Sequence, residues 1–311
     1  MKRCVLISGL CALFILMLRF PETCFQGASA GLLLWFRTVL PTLFPFIVIT
    51  SLLVRTRAVE GISRILSPMI CPLFGVSEAS SFAVLGGFLC GYPMGAKITS
   101  DLLDEGYISR KEGNYLLSFC NNTSPMFVIS YIVLQNLRRP ELGIISLGIM
   151  MASPVLLSFL FRRIWFSRED STKTISQGRL SLPPQNFTSA LDFCIMNACE
   201  TITKIGGYII VFSIILELCR LLQINVFFWE MICLPSLEIT GGVTAICKAE
   251  LPFSARYILV MALSSFGGFC AIFQTQCMIQ KHKLSMAAYI LEKLGTAIVS
   301  SLLAFLYLLL F

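Results

Sequence analysis

Apolar residues run through this chain in long blocks, and polar residues fall in short groups at the ends or in the middle of those blocks. A helix rises 1.5 Å per residue, so about 20 apolar residues suffice to cross a bilayer. Residues 31–54 predict one such span. It contains Leu40-Pro41-Thr42-Leu43-Phe44-Pro45-Phe46, whose prolines predict a kink, and it ends at Arg55, Arg57 and Arg64, which the positive-inside rule places in the cytoplasm. Residues 4–18 form a shorter block, either a short first span or a signal-peptide core followed by Ala28-Ser29-Ala30. Residues 62–76 carry Pro68 and Pro72, which interrupt them and suggest an interfacial element.

Several blocks are broken internally. Residues 80–99 hold Gly91-Tyr92-Pro93-Met94-Gly95 at their centre, which predicts a re-entrant hairpin whose halves reach roughly 12–15 Å, about the bilayer midplane. Residues 101–114 are polar surface. Residues 115–134 carry Asn121-Asn122-Thr123-Ser124-Pro125 and predict a broken helix. A cleaner span follows over 143–161, then a polar cytoplasmic linker over 162–188. Residues 191–205 mix Asp192, Glu200 and Lys204 with apolar positions and lead into a span over 206–222. Residues 227–246 are apolar but hold Pro235, Glu238, Gly241 and Gly242. Residues 261–278 carry Gly267-Gly268 and Gln274-Thr275-Gln276, the pattern of a second re-entrant hairpin, and residues 287–311 close the chain as a span.

The order of these elements repeats. Gly86-Gly87-Phe88 matches Gly267-Gly268-Phe269, and Ile108-Ser109 before Tyr115-Leu116-Leu117 parallels Leu284-Ser285 before Tyr289-Ile290-Leu291. The first repeat opens with a span running inward to Arg55, whereas the second leaves the cytoplasmic linker and runs outward, so the repeats are inverted. The organisation that follows is an N-terminal segment 1–24, a first repeat 25–161, a linker 162–188 and a second, inverted repeat 189–311. Inverted repeats with discontinuous helices meeting near the midplane are the architecture of many secondary transporters.

Composition sharpens the class. Of 311 residues, 56% are hydrophobic and 13% charged, and the mean hydropathy is +0.82; an all-α polytopic membrane protein is the fold class these values require. Twenty-four basic against 17 acidic residues give +7, but the basic residues gather at the ends of apolar runs, so nucleic acid is not an expected partner. A single histidine, carboxylates without metal-ligand spacing, no Gly-rich loop after a strand and 13 cysteines without a C-x-x-C pair offer no metal site, no cofactor and no enzyme chemistry.

The strings Gly86-Gly87-Phe88-Leu89-Cys90-Gly91-Tyr92-Pro93-Met94-Gly95-Ala96-Lys97 and Phe119-Cys120-Asn121-Asn122-Thr123-Ser124-Pro125-Met126-Phe127 resemble the signature of the YlbJ family of sporulation integral membrane proteins, which are nucleoside-recognition, or Gate-domain, proteins. The resemblance extends over nearly the whole chain. It implies a fold similar to concentrative nucleoside transporters and a place in the cell membrane or outer forespore membrane of an endospore former. It also implies a role in moving dipicolinic acid across the outer forespore membrane during sporulation. A nucleoside-type solute and a non-transporting structural factor of spore membrane assembly are the alternatives.

Dipicolinate is a flat pyridine with two carboxylates, so its site needs anion donors, a ring surface and little competing negative charge. The first hairpin tip offers these: Gly91 and Gly95 for close backbone approach, Tyr92 and Pro93 at the turn, helix N-terminal amides, and Lys97 as a cation. A packed turn with a snorkelling Lys97 is the bland alternative. Asn121, Asn122, Thr123 and Ser124 sit where side-chain amides are costly unless paired, so they contact substrate or hydrogen-bond the facing hairpin. From the second half, Ser264, Ser265, Gly267, Gly268, Gln274 and Gln276 could complete the site, though polar residues along a hairpin often just bind backbone. Glu238, an acid within an apolar run, is the candidate for ion coupling or else a partner for Lys204. The expected partners are a small-molecule anion, the bilayer and a coupling ion; a homo-oligomer is left open.

Overall fold

The structure, a computed structural model, describes residues 2–165, 187–222, 224 and 226–310. Among them the chain forms thirteen α-helices and no strand, the all-α architecture the apolar blocks require. Five helical stretches are long and apolar enough to cross a membrane: Pro21–Arg55, Pro140–Trp165, Phe187–Arg220, Phe253–His282 and Met286–Leu310.

Helix α1 (Lys2–Arg19) covers the first apolar block and turns Leu10, Phe14 and Leu18 outward. Helix α2 (Pro21–Leu34) passes through a π-turn at Trp35–Val39 into α3 (Leu40–Arg55). The span expected from residue 31 therefore begins at Pro21. The expected kink takes the form of that widened turn: Pro41 has no N–H to give, the Leu40 amide reaches back to Trp35 O, and Thr42 Oγ1 donates to Thr38 O at 2.6 Å. Helix α4 (Ala58–Phe74) runs unbroken through Pro68 and Pro72, contrary to the interruption expected there. Each proline forfeits one backbone bond, and the buried face of Val59, Ile70 and Phe74 outweighs the loss. The opposite face presents Ile65, Met69 and Leu73 at helical spacing, all exposed, as an amphipathic helix at a membrane surface would.

Helices α5 (Ser80–Cys90) and α6 (Met94–Asp104) fold back on each other around Gly91-Tyr92-Pro93. A Cβ added to Gly86 would lie 2.2 Å from Ile98 Cδ1, so positions equidistant from Tyr92 touch and the pair is a hairpin. Helix α7 (Arg110–Cys120) starts at Ser109, whose hydroxyl accepts the Glu112 amide at 3.2 Å. The chain then unwinds over 121–124 and resumes as a π-helix, Phe127–Leu137. A 3₁₀ turn leads into α8 (Gly143–Trp165). The polar linker lies mostly outside the described residues. Helix α9 (Phe187–Arg220) is one 34-residue helix, joining the segments 191–205 and 206–222 that had been read apart.

After α9 a π-turn (Trp229–Cys233) and non-helical residues 234–238 lead into α10 (Ile239–Lys248). Helices α11 (Phe253–Phe266) and α12 (Gly268–Ile279) follow, and α13 (Met286–Leu310) closes the fold. The second hairpin expected over 261–278 is not one. Ser300 Oγ donates to Met261 O at 3.2 Å, and Thr275 Oγ1 meets Tyr289 OH at 3.4 Å. As residue numbers rise along α11–α12 their partners in α13 fall, so the chain keeps its direction across Gly267 and forms a broken crossing helix. Gly267 and Gly268, with φ of +87° and +80°, offset two helical segments without reversing them. The matched Gly-Gly-Phe strings therefore hold different places: Gly86 and Gly87 lie inside α5, Gly267 at a break.

Helices α2–α3 and α9 run antiparallel. Gly27 faces Ile214, Gly31 faces Ile210, and Trp35 Nε1 donates to Ile202 O at 2.9 Å. Small residues let these backbones approach, which is how apolar helices associate where no water is expelled. Ala28-Ser29-Ala30 lies within this packed helix. Two apolar cores result. One gathers α3–α7, α9, α12 and the start of α13; the other gathers the π-helix, α8, α10, α11 and the end of α13.

Candidate functional site

The non-helical breaks at 91–93, 121–124, 234–238 and 267 come together between the two cores. Each break frees backbone groups that must find partners inside the protein. Tyr92 OH donates to Ser265 O at 3.0 Å, and Thr123 Oγ1 donates to Ser264 O at 2.6 Å. Phe269 N and Cys270 N, opening α12, donate to Ser236 O and Leu237 O at 2.7 and 3.0 Å. Hairpin tip, α7 break, 234–238 segment and α11–α12 break thus interlock.

Glycines permit this closeness. Gly91, at φ +84°, would place a Cβ 2.8 Å from Ser124 Cβ, and Gly267 would place one 2.6 Å from Tyr92 Cζ. A Cβ on Gly95 would meet Cys120 O at 2.2 Å, and one on Gly268 would meet Ser236 O at 3.1 Å. Pro93 occupies the N-cap of α6, and Ser124 Oγ accepts the Phe127 amide at 3.3 Å, starting the π-helix. Three of the α6 amides that the sequence offered to an anion are engaged: Met94 N donates to Gly91 O at 2.8 Å, Ala96 N to Asn121 Oδ1 at 3.4 Å and Lys97 N to Pro93 O at 3.0 Å.

Asn121 Nδ2 donates to Thr275 Oγ1 and to Tyr289 OH, both at 2.9 Å. Asn122 Nδ2 donates to Phe119 O at 2.5 Å, which turns Oδ1 toward Lys293 Nζ, 2.9 Å away. Lys293 has no solvent exposure and lies 5.1 Å from the Tyr92 ring centroid and 5.9 Å from that of Tyr289. Sequence reading missed Lys293, Tyr289 and Thr275. The available signal was a lysine roughly 10 Å inside a 25-residue apolar helix. Its neighbour Glu292 is also buried and accepts Trp165 Nε1 at 2.7 Å.

The remaining expected site residues lie elsewhere or do other work. Lys97 is not a free cation: its Nζ lies 2.5 Å from Asp101 Oδ1, and Ser51 Oγ donates to Asp101 Oδ2 at 2.9 Å. Glu238 does not pair with Lys204, which takes Glu200 at 2.5 Å. Both Glu238 oxygens cap α10, accepting Thr240 N at 2.9 Å and Gly241 N at 2.7 Å. Gln274 is buried and donates to Cys270 Sγ at 3.2 Å. Ser265 joins the junction through its carbonyl, while its hydroxyl faces Met150 Sδ at 3.4 Å.

A cavity of about 710 Å³ is lined by residues of α3, α6, α9 and α12. Its charges come in pairs. Lys97 meets Asp101 at the floor, Lys204 meets Glu200, Arg55 reaches Glu105 at 3.9 Å, and Lys281 meets Asp104. His282, 3.2 Å from Asp104, ties the end of α12 to α6 beside it. Outside the spans, Tyr107 OH donates to Glu60 at 3.2 Å; burial and the Glu60 charge push the phenol up to about 12, so it stays a donor at neutral pH.

Fold and junction together define a multi-pass all-α membrane protein whose discontinuous helices meet at a buried polar centre. The chain is 23% identical over 306 residues to the sporulation integral membrane protein YlbJ of Bacillus subtilis (strain 168), covering 88% of this chain and 75% of that protein. The likeness is to a sporulation integral membrane protein and supports a YlbJ-family assignment. No model of a protein family matches the chain, and no solved structure matches it.

Proposed function

We propose that this sporulation membrane protein is a secondary-type transporter of a small anionic heterocycle. The first substrate is dipicolinic acid, carried across the outer forespore membrane, and a nucleoside-type solute is the second. The observation that carries the reading is the junction itself. Unwound backbone from both halves of the chain is buried at one place between two apolar cores, and a charged cavity is lined by α6, the helix that starts at this junction. Broken helices inside a membrane are tolerated only where they are buried in protein or line a water-filled cavity, and in secondary transporters such breaks form the solute site. The antiparallel course of α2–α3 and α9 supports two inverted halves, with α5–α6 as a re-entrant hairpin. The dipicolinate assignment draws on the resemblance of the hairpin and α7-break strings to the YlbJ family. The reading assigns the chain no catalytic chemistry.

The test is flux of labelled dipicolinate into proteoliposomes, with nucleosides as competitors. Saturable uptake is expected, and Gly91→Leu, which forces a side chain into Ser124, should abolish it while the protein still reaches the membrane. Folded protein that moves neither solute under proton, sodium or calcium gradients would overturn transport in favour of a structural role.

A further inference from the structure

Lys293 is a fully buried lysine. An ammonium has three N–H donors, and one of them is used, on Asn122 Oδ1. The flanking Tyr92 and Tyr289 rings attract a cation but carry no net charge. No ion pair among the described residues includes Lys293. Glu292, its neighbour in sequence, points about 100° away around the helix and is held by Trp165. Lys97 shows the contrast, since its charge is matched by Asp101. A lone buried ammonium is strongly disfavoured, so such a group either sheds its proton or takes a partner of opposite sign.

A second orphan belongs to the same junction. Ser264 Oγ is fully buried and has no hydrogen-bond partner. Asn122 holds Lys293 and the next residue, Thr123, holds the Ser264 carbonyl, so one break of α7 anchors both residues. Asn121 and Thr123, by comparison, have their donors engaged.

We infer that Lys293 and Ser264 form a carboxylate subsite, in which Lys293 is the counter-ion and Ser264 an added donor. This rests on the transport reading and deepens it, because it makes the solute a small planar carboxylate rather than a neutral nucleoside. The Tyr92 and Tyr289 faces beside the ammonium suit a flat ring. The subsite is closed in this conformation, as the full burial of both groups requires.

The experiment measures binding to purified protein by equilibrium dialysis, using labelled dipicolinate, its neutral diamide of the same shape, and uridine. Wild type should bind the dicarboxylate, with the diamide and uridine weaker by about tenfold or more. Lys293→Met should lose about tenfold to a hundredfold in dicarboxylate affinity, Lys293→Arg should keep part of it, and Ser264→Ala should lose a few-fold. Lys293→Met should unfold at or above the wild-type temperature, since an apolar isostere relieves a lone buried charge. Dicarboxylate affinity unchanged in Lys293→Met, or a diamide bound as tightly as the dicarboxylate, would overturn the inference and leave transport standing. If Lys293→Met does not reach the membrane, Lys293→Arg and Ser264→Ala decide: undiminished binding in Ser264→Ala, with none in Lys293→Arg, also overturns it. Folded wild type that binds and transports none of the three would remove the transport reading and this inference with it.

Discussion

The Lys97–Asp101 pair at the cavity floor gives a quantitative test of the site's electrostatics. The two side chains are 6% and 12% exposed and 2.5 Å apart, so both charges are largely removed from water. Deleting one member of such a pair strands the other, at a cost of about 3–5 kcal/mol, whereas replacing both with apolar residues is often neutral. Here the lower end applies to Lys97→Met, because the stranded Asp101 keeps its bond from Ser51 and borders the cavity. The expected loss is about 3 kcal/mol for Lys97→Met, about the same for Asp101→Leu, and about 1 kcal/mol or less for the double variant. Unfolding of the purified variants in detergent would measure the three differences as a double-mutant cycle. A double variant at least about 2 kcal/mol more stable than the summed singles is the expected result. Additivity within about 0.5 kcal/mol would refute the reasoning, because the two groups would then act independently.

Glu238→Gln should destabilise the fold by about 1 kcal/mol in the same unfolding assay, since a charged cap on two α10 amides becomes a neutral one. Trp165→Phe should cost about 1.5–3 kcal/mol by leaving the buried Glu292 carboxylate without its indole donor; a Trp165→Phe/Glu292→Leu double variant should recover most of that loss. Gly87→Ala should cost about 1–3 kcal/mol or more, because its Cβ would stand 1.7 Å from Cys120 O, while Gly207→Ala, with nothing within 4 Å, serves as the near-neutral control. Equal melting temperatures for those two glycine variants would contradict the packing described.

Much of the architecture is legible in sequence because a bilayer leaves few options. Long apolar runs have to be helices, and Gly, Pro and Asn inside them have to mark breaks, as at 91–95 and 121–125. Other features depend on contacts that sequence order hides. Gly267-Gly268 and Gly91 are both compatible with a reversal or an offset, and only the pairing of α11–α12 with α13 decides between them. Pro68 and Pro72 read as breakers because the packed face that holds α4 together is assembled from other helices. The Lys204–Glu200 pair stands at helical spacing in the sequence, but only the capping of α10 by Glu238 removes that acid as a competitor for the same lysine. Lys293 eluded the reading because its partners, Asn122 and Tyr92, lie in the other half of the chain.

The position of the break in α7 follows from the hairpin's glycines. A Cβ on Gly87 would stand 1.7 Å from Cys120 O and one on Gly95 2.2 Å from the same atom, so this carbonyl is clamped between both arms of the α5–α6 hairpin. One turn on, Pro125 has no N–H for the Asn121 carbonyl, so the helix cannot continue in register past the clamp. The chain must unwind there, and unwinding turns Asn121, Asn122 and Thr123 inward to α12, α13 and α11. Hairpin packing and the polar junction are therefore one construction. A displacement of α5–α6 has to carry Cys120 with it, and through Asn122 it bears directly on Lys293.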